Sequence, residues 1–292
     1  NGESHLWAYD LPSYANKSTG NSGFYLLARS SDALRDSVKN SLRILPGCES
    51  VSDEVVISIL NEISGRGIPT LKTMAIGGAN ASGEIGMLVG MRLLQSFGKC
   101  DQDSNELLPI SAGTINNLIV SVDPFRSQLD YLCEHLNLDK IRPDLLVLSF
   151  QIEDGSFRVK FSCVEIKYRS SVMSRKDMVS ALSQCENLIK LLEKLGDLSQ
   201  DYPIWNIARI KLLTDLTNFA FAIYGRQIKE VEEARNWATL REEVIRSFTD
   251  KSQYQLNPEG RLLIVSDYKL SNSETIINEN DCLQISFKDA AD

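Results

Sequence analysis

Histidine is scarce in this chain, the cysteines are scattered and long apolar runs are missing. Each shortage removes a class of function. Only His5 and His135 occur in 292 residues, so a histidine-rich metal site or a second catalytic histidine has little material. The six cysteines (48, 100, 133, 163, 185 and 282) include no C-x-x-C pair, which speaks against a zinc site and against a dense disulfide framework. A reducing, cytoplasmic setting is the simplest expectation. No apolar run approaches the roughly twenty residues that span a bilayer, so no membrane partner is expected. There is no internal repeat, no low-complexity tract and no G-x-x-x-x-G-K-[ST] phosphate loop. The opening Asn1-Gly2-Glu3-Ser4 has neither an initiating Met nor an apolar leader, and the chain is expected to be a piece of something longer.

What remains is the composition of a globular protein, 43% apolar and 24% charged, enough for one large domain or two small ones. The net charge of −8 argues against broad non-specific binding to nucleic acid. The charge is uneven, however: residues 140–176 hold eight Lys/Arg against four Asp/Glu. That basic stretch also carries the candidate chemistry.

Along the chain, residues 1–22 read as an irregular lead-in and Phe24–Ala28 as a short strand. A helix is expected from Ser31 or Asp32 through Leu34, Val38 and Leu42, stopped by Pro46-Gly47. A second starts at Ser52, and a third follows the glycine-rich 77–83 segment, with Ile85, Leu88, Val89, Leu93 and Phe97 at helical spacing. Leu118–Val122 reads as a strand and Arg126–Leu136 as a short helix. Leu145–Phe150 and Phe157–Ile166 read as strands joined by the turn signal Glu153-Asp154-Gly155-Ser156. Ser174 caps a helix carrying Met178, Leu182, Cys185, Ile189 and Leu192, a helical stretch covers about 204–248, and Arg261–Ser266 reads as a late strand. The order implies an α/β fold, a mixed sheet flanked by helices.

The hairpin carries the argument further. With Asp154-Gly155 as the two loop residues and no bulge, the ladder places Asp144 directly opposite Glu165, on one face. Lys167, two residues on, projects from that face too, beyond Leu146, Leu148, Phe150, Val159, Phe161 and Cys163. An apolar face thus ends in two carboxylates and a lysine. Paired carboxylates beside a core need a compensating cation; Mg²⁺ or Mn²⁺ would serve, with Lys167 orienting a water or stabilising developing charge. Hairpin geometry alone is equally compatible with a structural ion-pair cluster.

Arg142-Pro143-Asp144, followed about twenty residues later by Val164-Glu165-Ile166-Lys167, resembles the P-D…(D/E)-x-K signature of the restriction-endonuclease-like nucleases. The resemblance covers roughly residues 82–195, extending toward 266. It implies a restriction-endonuclease-like core over 81–292, with a helical insertion at about 204–248, behind a mainly helical N-terminal region over 1–80. It implies that Asp144, Glu165 and the Ile166 carbonyl bind Mg²⁺ or Mn²⁺ and that Lys167 is the base or charge stabiliser. Glu84, in the helix ahead of the strands, matches a further metal ligand, although its separation from Asp144 is long for the family. Gln184, in the helix after the motif, matches a site-shaping position. A looser likeness, over Arg66–Leu71 and Gly83–Leu88, is to nuclease-like portions attached to FtsK/HerA-type ATPases of bacterial DNA defence, including phosphorothioate-dependent restriction. With no phosphate loop here, such a motor would be a separate partner.

The expected function is therefore metal-dependent hydrolysis of DNA in defence or restriction, with DNA contacted by Arg169, Arg175 and Lys176. The rival is a catalytically inactive nuclease-fold adaptor that binds DNA or docks to the ATPase; a homo-oligomer stays open for either. Plainer readings stand beside the functional ones elsewhere. The 77–83 glycines suit a connector, Cys163 suits core packing, His135 suits the surface, and 229–246 suits a solvated helix face. Arg169, Arg175 and Lys176 could equally be ordinary solvated surface.

Overall fold

The computed structural model describes residues 4–8, 25–29, 32–43, 50–66, most of 86–94, 117–140, 142–153, 156–225, 231–249, 254–266 and 272–286. Near the N-terminus, β1 (Ser4–Ala8) pairs antiparallel with β2 (Tyr25–Arg29). The lead-in expected to be irregular therefore contains a strand. Its partner is some twenty residues away, so no local pattern marks it. Helices α1 (Asp32–Leu42) and α2 (Asp53–Arg66) follow where hydrophobic spacing places them. Val38, Leu42, Val56 and Leu60 are buried, Lys39 pairs with Asp53 at 2.5 Å, and the Val55 N–H donates to Ser52 Oγ at 3.4 Å, as expected of an N-cap.

The rest is built on a mixed seven-stranded sheet. Its strands are β3 (Asn117–Ser121), β4 (Leu145–Glu153), β5 (Ser156–Arg169), β6 (Tyr254–Leu256), β7 (Arg261–Ser266), β8 (Ser273–Ile277) and β9 (Asn280–Ser286). The order is β3-β4-β5-β7-β9-β8, with β6 also paired to β5. The β4–β5 ladder runs from Glu153↔Ser156 to Leu145↔Val164 without a slip, which is the register the turn implies. Strands β5, β7 and β9 are mutually parallel. The last two strands carry no glycine turn signal: Asn278 and Glu279 both adopt positive φ (49° and 67°) to close the β8–β9 hairpin, a conformation more often signalled by Asn-Gly.

Side chains of β4 and β5 alternate between two buried faces. On one, Leu146, Leu148, Val159, Phe161 and Cys163 join a large core built with helices α3 (Arg126–His135), α4 (Arg175–Asp201), α5 (Pro203–Gly225) and α6 (Val231–Ser247). The expected 204–248 stretch is thus two helices, and α4 stops at Tyr202 because Pro203 follows. Ser174 caps α4, its Oγ accepting from the Asp177 N–H at 3.2 Å. Among the described residues α5 is buried on several sides: Tyr224 Oη accepts from the Ile119 N–H at 3.0 Å on edge strand β3, and Arg209 is held by Tyr254 Oη, Asn206 Oδ1 and the Phe248 carbonyl. Buried donors and acceptors need such partners.

On the other face, Leu145, Val164 and Ile166 meet Met91. Residues 86, 87, 89–91, 93 and 94 are helical, within the helix expected after the glycine-rich segment. This helix rides close to the strand. A Cβ added at Gly86 would lie 2.6 Å from Tyr168 Cβ, and one at Gly90 2.6 Å from Ile166 Cδ1. Tyr168 Cβ is fixed to the backbone and cannot swing aside. Gly86→Val should therefore push the helix off β5 and cost about 1–3 kcal/mol, read as a lower urea midpoint at unchanged m-value. An unchanged midpoint would mean the helix does not depend on this close approach.

Candidate functional site

The site forms where β4 begins and β5 runs on past it. Asp144 lies one residue before the β4–β5 ladder starts, and two backbone contacts fix it there. The Val122 N–H donates to the Asp144 carbonyl at 3.1 Å, and the Asp144 N–H donates to Glu165 Oε2 at 3.0 Å. Its carboxylate reaches across the hairpin to accept the Ile166 N–H on Oδ2 at 3.0 Å. Each acid thus accepts a backbone N–H from the opposing strand end.

Glu165 is fully buried. Its Oε1 accepts from Lys167 Nζ and from Gln184 Nε2, the latter at 2.9 Å. Lys167 Nζ is also 4.0 Å from Asp144 Oδ2. Asp144, Glu165, Lys167 and Gln184 are therefore brought together as expected: the strand period sets the first three and α4 supplies the fourth. Ile166 contributes its N–H, and its side chain is buried on the opposite face against the 86–94 helix. Glu84 lies outside the described residues. Arg169 is half-buried, its Nη1 donating to the Tyr168 carbonyl at 3.3 Å; Arg175 and Lys176 are exposed in the first turn of α4.

Burial pushes both carboxyls up. Glu165 rises from 4.5 to about 7, first by desolvation and then by the Asp144 charge, against the pull of Lys167. Asp144 is raised by desolvation, with Lys167 and the Ile166 N–H opposing. Removing carboxylates from water favours their neutral form, and one lysine does not fully offset two of them. Among the described residues no third His, Cys, Asp or Glu completes a metal-holding group with this pair. Two carboxylates are nonetheless the donor type a hard divalent cation takes, and Mg²⁺ commonly uses one or two of them while keeping several waters. Asp144, one-third exposed at its side chain, gives solvent a way to the pair.

Sequence reasoning passed over one neighbour. Arg142, with 15% of its side chain exposed, donates from Nη1 to Asp130 Oδ1 at 3.1 Å and from Nε to Asp123 Oδ1 at 3.4 Å. Its partners stand on α3 and the preceding 3₁₀ turn, twelve and nineteen residues earlier, so no spacing rule connects them. The plainer readings fit at Cys163 and His135, while the 77–83 glycines lie outside the described residues. Cys163 is a buried thiol pushed well up by desolvation. His135 is exposed, its Nδ1 bonded to the Tyr131 carbonyl at 2.8 Å. Among the described residues no helix is long and apolar enough to cross a membrane.

No family model, no curated protein and no solved structure matches this chain.

The buried acid makes a pH test. A carboxyl that ionises near 4.5 when unfolded and near 7 when folded holds more protons in the native state between those values. Its contribution is then fully present below about pH 4.5 and is lost as pH rises to about 7, on the order of 3 kcal/mol. Urea unfolding across that window should show this fall in wild type and a flatter profile in Glu165→Gln. Parallel profiles would mean Glu165 is not desolvated as described.

Proposed function

We propose that this chain is a metal-dependent nuclease domain of the restriction-endonuclease-like kind, hydrolysing DNA phosphodiester bonds in bacterial defence or restriction. One observation carries the reading. Two desolvated carboxylates, Asp144 and Glu165, sit with Lys167 and Gln184 at the end of an otherwise apolar sheet face. A purely structural cluster would gain little from such costly burial. Asp144 and Glu165, with the Ile166 carbonyl and Glu84 as further ligands, would hold Mg²⁺ or Mn²⁺. When bound, the ion supplies Lewis-acid polarisation of a phosphoryl oxygen and a more acidic water.

The chain's own residues do the rest. Gln184 orients the Glu165 carboxylate through its 2.9 Å hydrogen bond. Lys167, which pairs with Glu165 here, would turn toward the phosphate to hold the attacking water or the developing negative charge. Arg169, Arg175 and Lys176, in and around the β5–α4 connection, would meet the DNA backbone. An FtsK/HerA-type ATPase would be the partner that delivers DNA. The adaptor reading draws on a different observation: the Glu165 oxygens are already occupied by Lys167, Gln184 and the Asp144 N–H.

Thermal melts and plasmid cleavage separate the two. Mn²⁺ should raise the melting temperature of wild type by binding the folded form, and Asp144→Ala should lose most of that rise. Lys167→Ala should keep the rise but cut turnover on the order of a hundredfold, and Glu165→Ala should lose both. Equal shifts in wild type and Asp144→Ala would return the site to a structural ion-pair cluster. Cation binding with no cleavage, even beside the partner ATPase, would favour the adaptor.

Reversing Arg169, Arg175 and Lys176 to Glu should weaken DNA binding and flatten its dependence on salt, because fewer counterions are released. The same slope before and after would make these residues ordinary surface.

A further inference from the structure

We infer that Arg142 is a positioning residue for Asp144: its guanidinium clamps the Arg142-Pro143-Asp144 segment to α3, and so fixes where the Asp144 carboxylate meets β5. This rests on the proposed role of Asp144 as a metal ligand, but its physical content can be tested separately.

Asp144 precedes the β4 ladder, so regular strand pairing does not hold it. What holds it comes from three sides. The Val122 N–H takes its carbonyl at 3.1 Å, the Glu165 carboxylate takes its N–H at 3.0 Å, and the Ile166 N–H engages its own carboxylate at 3.0 Å. Pro143 is buried, its own φ fixed and Arg142 biased to extended backbone. The Arg142 side chain adds a tether to this stiff segment. Its guanidinium forks onto Asp130 at 3.1 Å and Asp123 at 3.4 Å while only 15% exposed. Asp123 is 76% exposed and contributes little. Asp130, at 31% exposure and also 3.7 Å from Arg126, is the firmer anchor. Its helix is fixed in turn by Leu129, Leu132 and Cys133 in the core, and by a left-handed Asn137 at its end, where the Leu138 N–H returns to the Cys133 carbonyl at 2.9 Å. The clamp therefore ties Asp144 to the rigid core.

Amide hydrogen exchange reads the positioning directly, because the Ile166 and Val122 N–H groups are bonded to Asp144 itself. In Arg142→Gln both amides should exchange at least about tenfold faster, with Phe161 and Leu263 in the sheet interior unchanged, a signature of local rather than global opening. Arg142→Lys should recover part of the protection, and Mn²⁺ affinity should fall in parallel. Should Arg142→Gln fail to fold, Asp130→Asn tests the same contact and should show the same local signature. Unchanged protection at Ile166 and Val122 would overturn the inference, and so would a uniform loss across the sheet, which would mark Arg142 as a general stabiliser. Local loss in the variant, beside a wild type that neither binds Mn²⁺ nor cuts DNA, would uphold the positioning and overturn the nuclease reading.

Discussion

The registration of β4 against β5 decides where every group of the site falls. Strand side chains alternate, so a slip of one residue would send Glu165 and Lys167 to the opposite face, relative to Asp144, and bring Val164 or Ile166 in their place. In many sheets a solvated face penalises such a slip. Here both faces are buried: Leu146, Leu148, Phe161 and Cys163 lie toward the helical layer, and Leu145, Val164 and Ile166 toward the 86–94 helix. Polarity alone therefore constrains the register weakly. The Glu153↔Ser156 pairing sets it at one end, and the crossed Asp144–Glu165–Ile166 hydrogen bonds lock it at the other. The groups proposed to act are also the groups that fasten the hairpin.

That double use explains the electrostatic character of the site. Glu165 is fully buried, yet it keeps four interactions, from the Asp144 N–H, Lys167, Gln184 and the Asp144 charge; three attract and one repels. Burying a carboxylate with this set is tolerable, and removing any one of the three donors would leave its charge less compensated in a low-dielectric surround. The cluster is balanced but not relaxed. A second cation would relieve it, and Lys167 occupies part of the place where such relief is needed.

The surrounding architecture keeps this balance from collapsing. Helix α4 brings Gln184 to Glu165 on the side where Cys185 and Leu188 enter the core. On the far side Gly86 and Gly90 let a helix approach β5 closely, holding the strand from behind at Ile166 and Tyr168. The parallel β5–β7 pairing runs from Val164 to Arg169 along the other edge, so the backbone bearing Glu165 and Lys167 is paired to β7, while past Val164 on the β4 side the Asp144 carboxylate takes the Ile166 N–H instead.

Much of this was legible in the chain itself. Period-two alternation and the Asp154-Gly155 turn determine the hairpin, its register and the common face of Glu165 and Lys167, because those are local consequences of strand geometry. Ser174 and the spacing of Leu182, Cys185 and Ile189 determine α4 for the same reason. The N-terminal strand Ser4–Ala8 was not legible because its partner lies some twenty residues away, and the β8–β9 hairpin was not because Asn278-Glu279 gives no glycine signal. Tertiary structure alone decided that Arg142 meets Asp130, that Tyr224 covers the edge of β3, and that Gln184 reaches Glu165. Those contacts depend on how separate elements pack. Sequence spacing fixes distances along a helix or strand, but it leaves open which elements come to lie side by side.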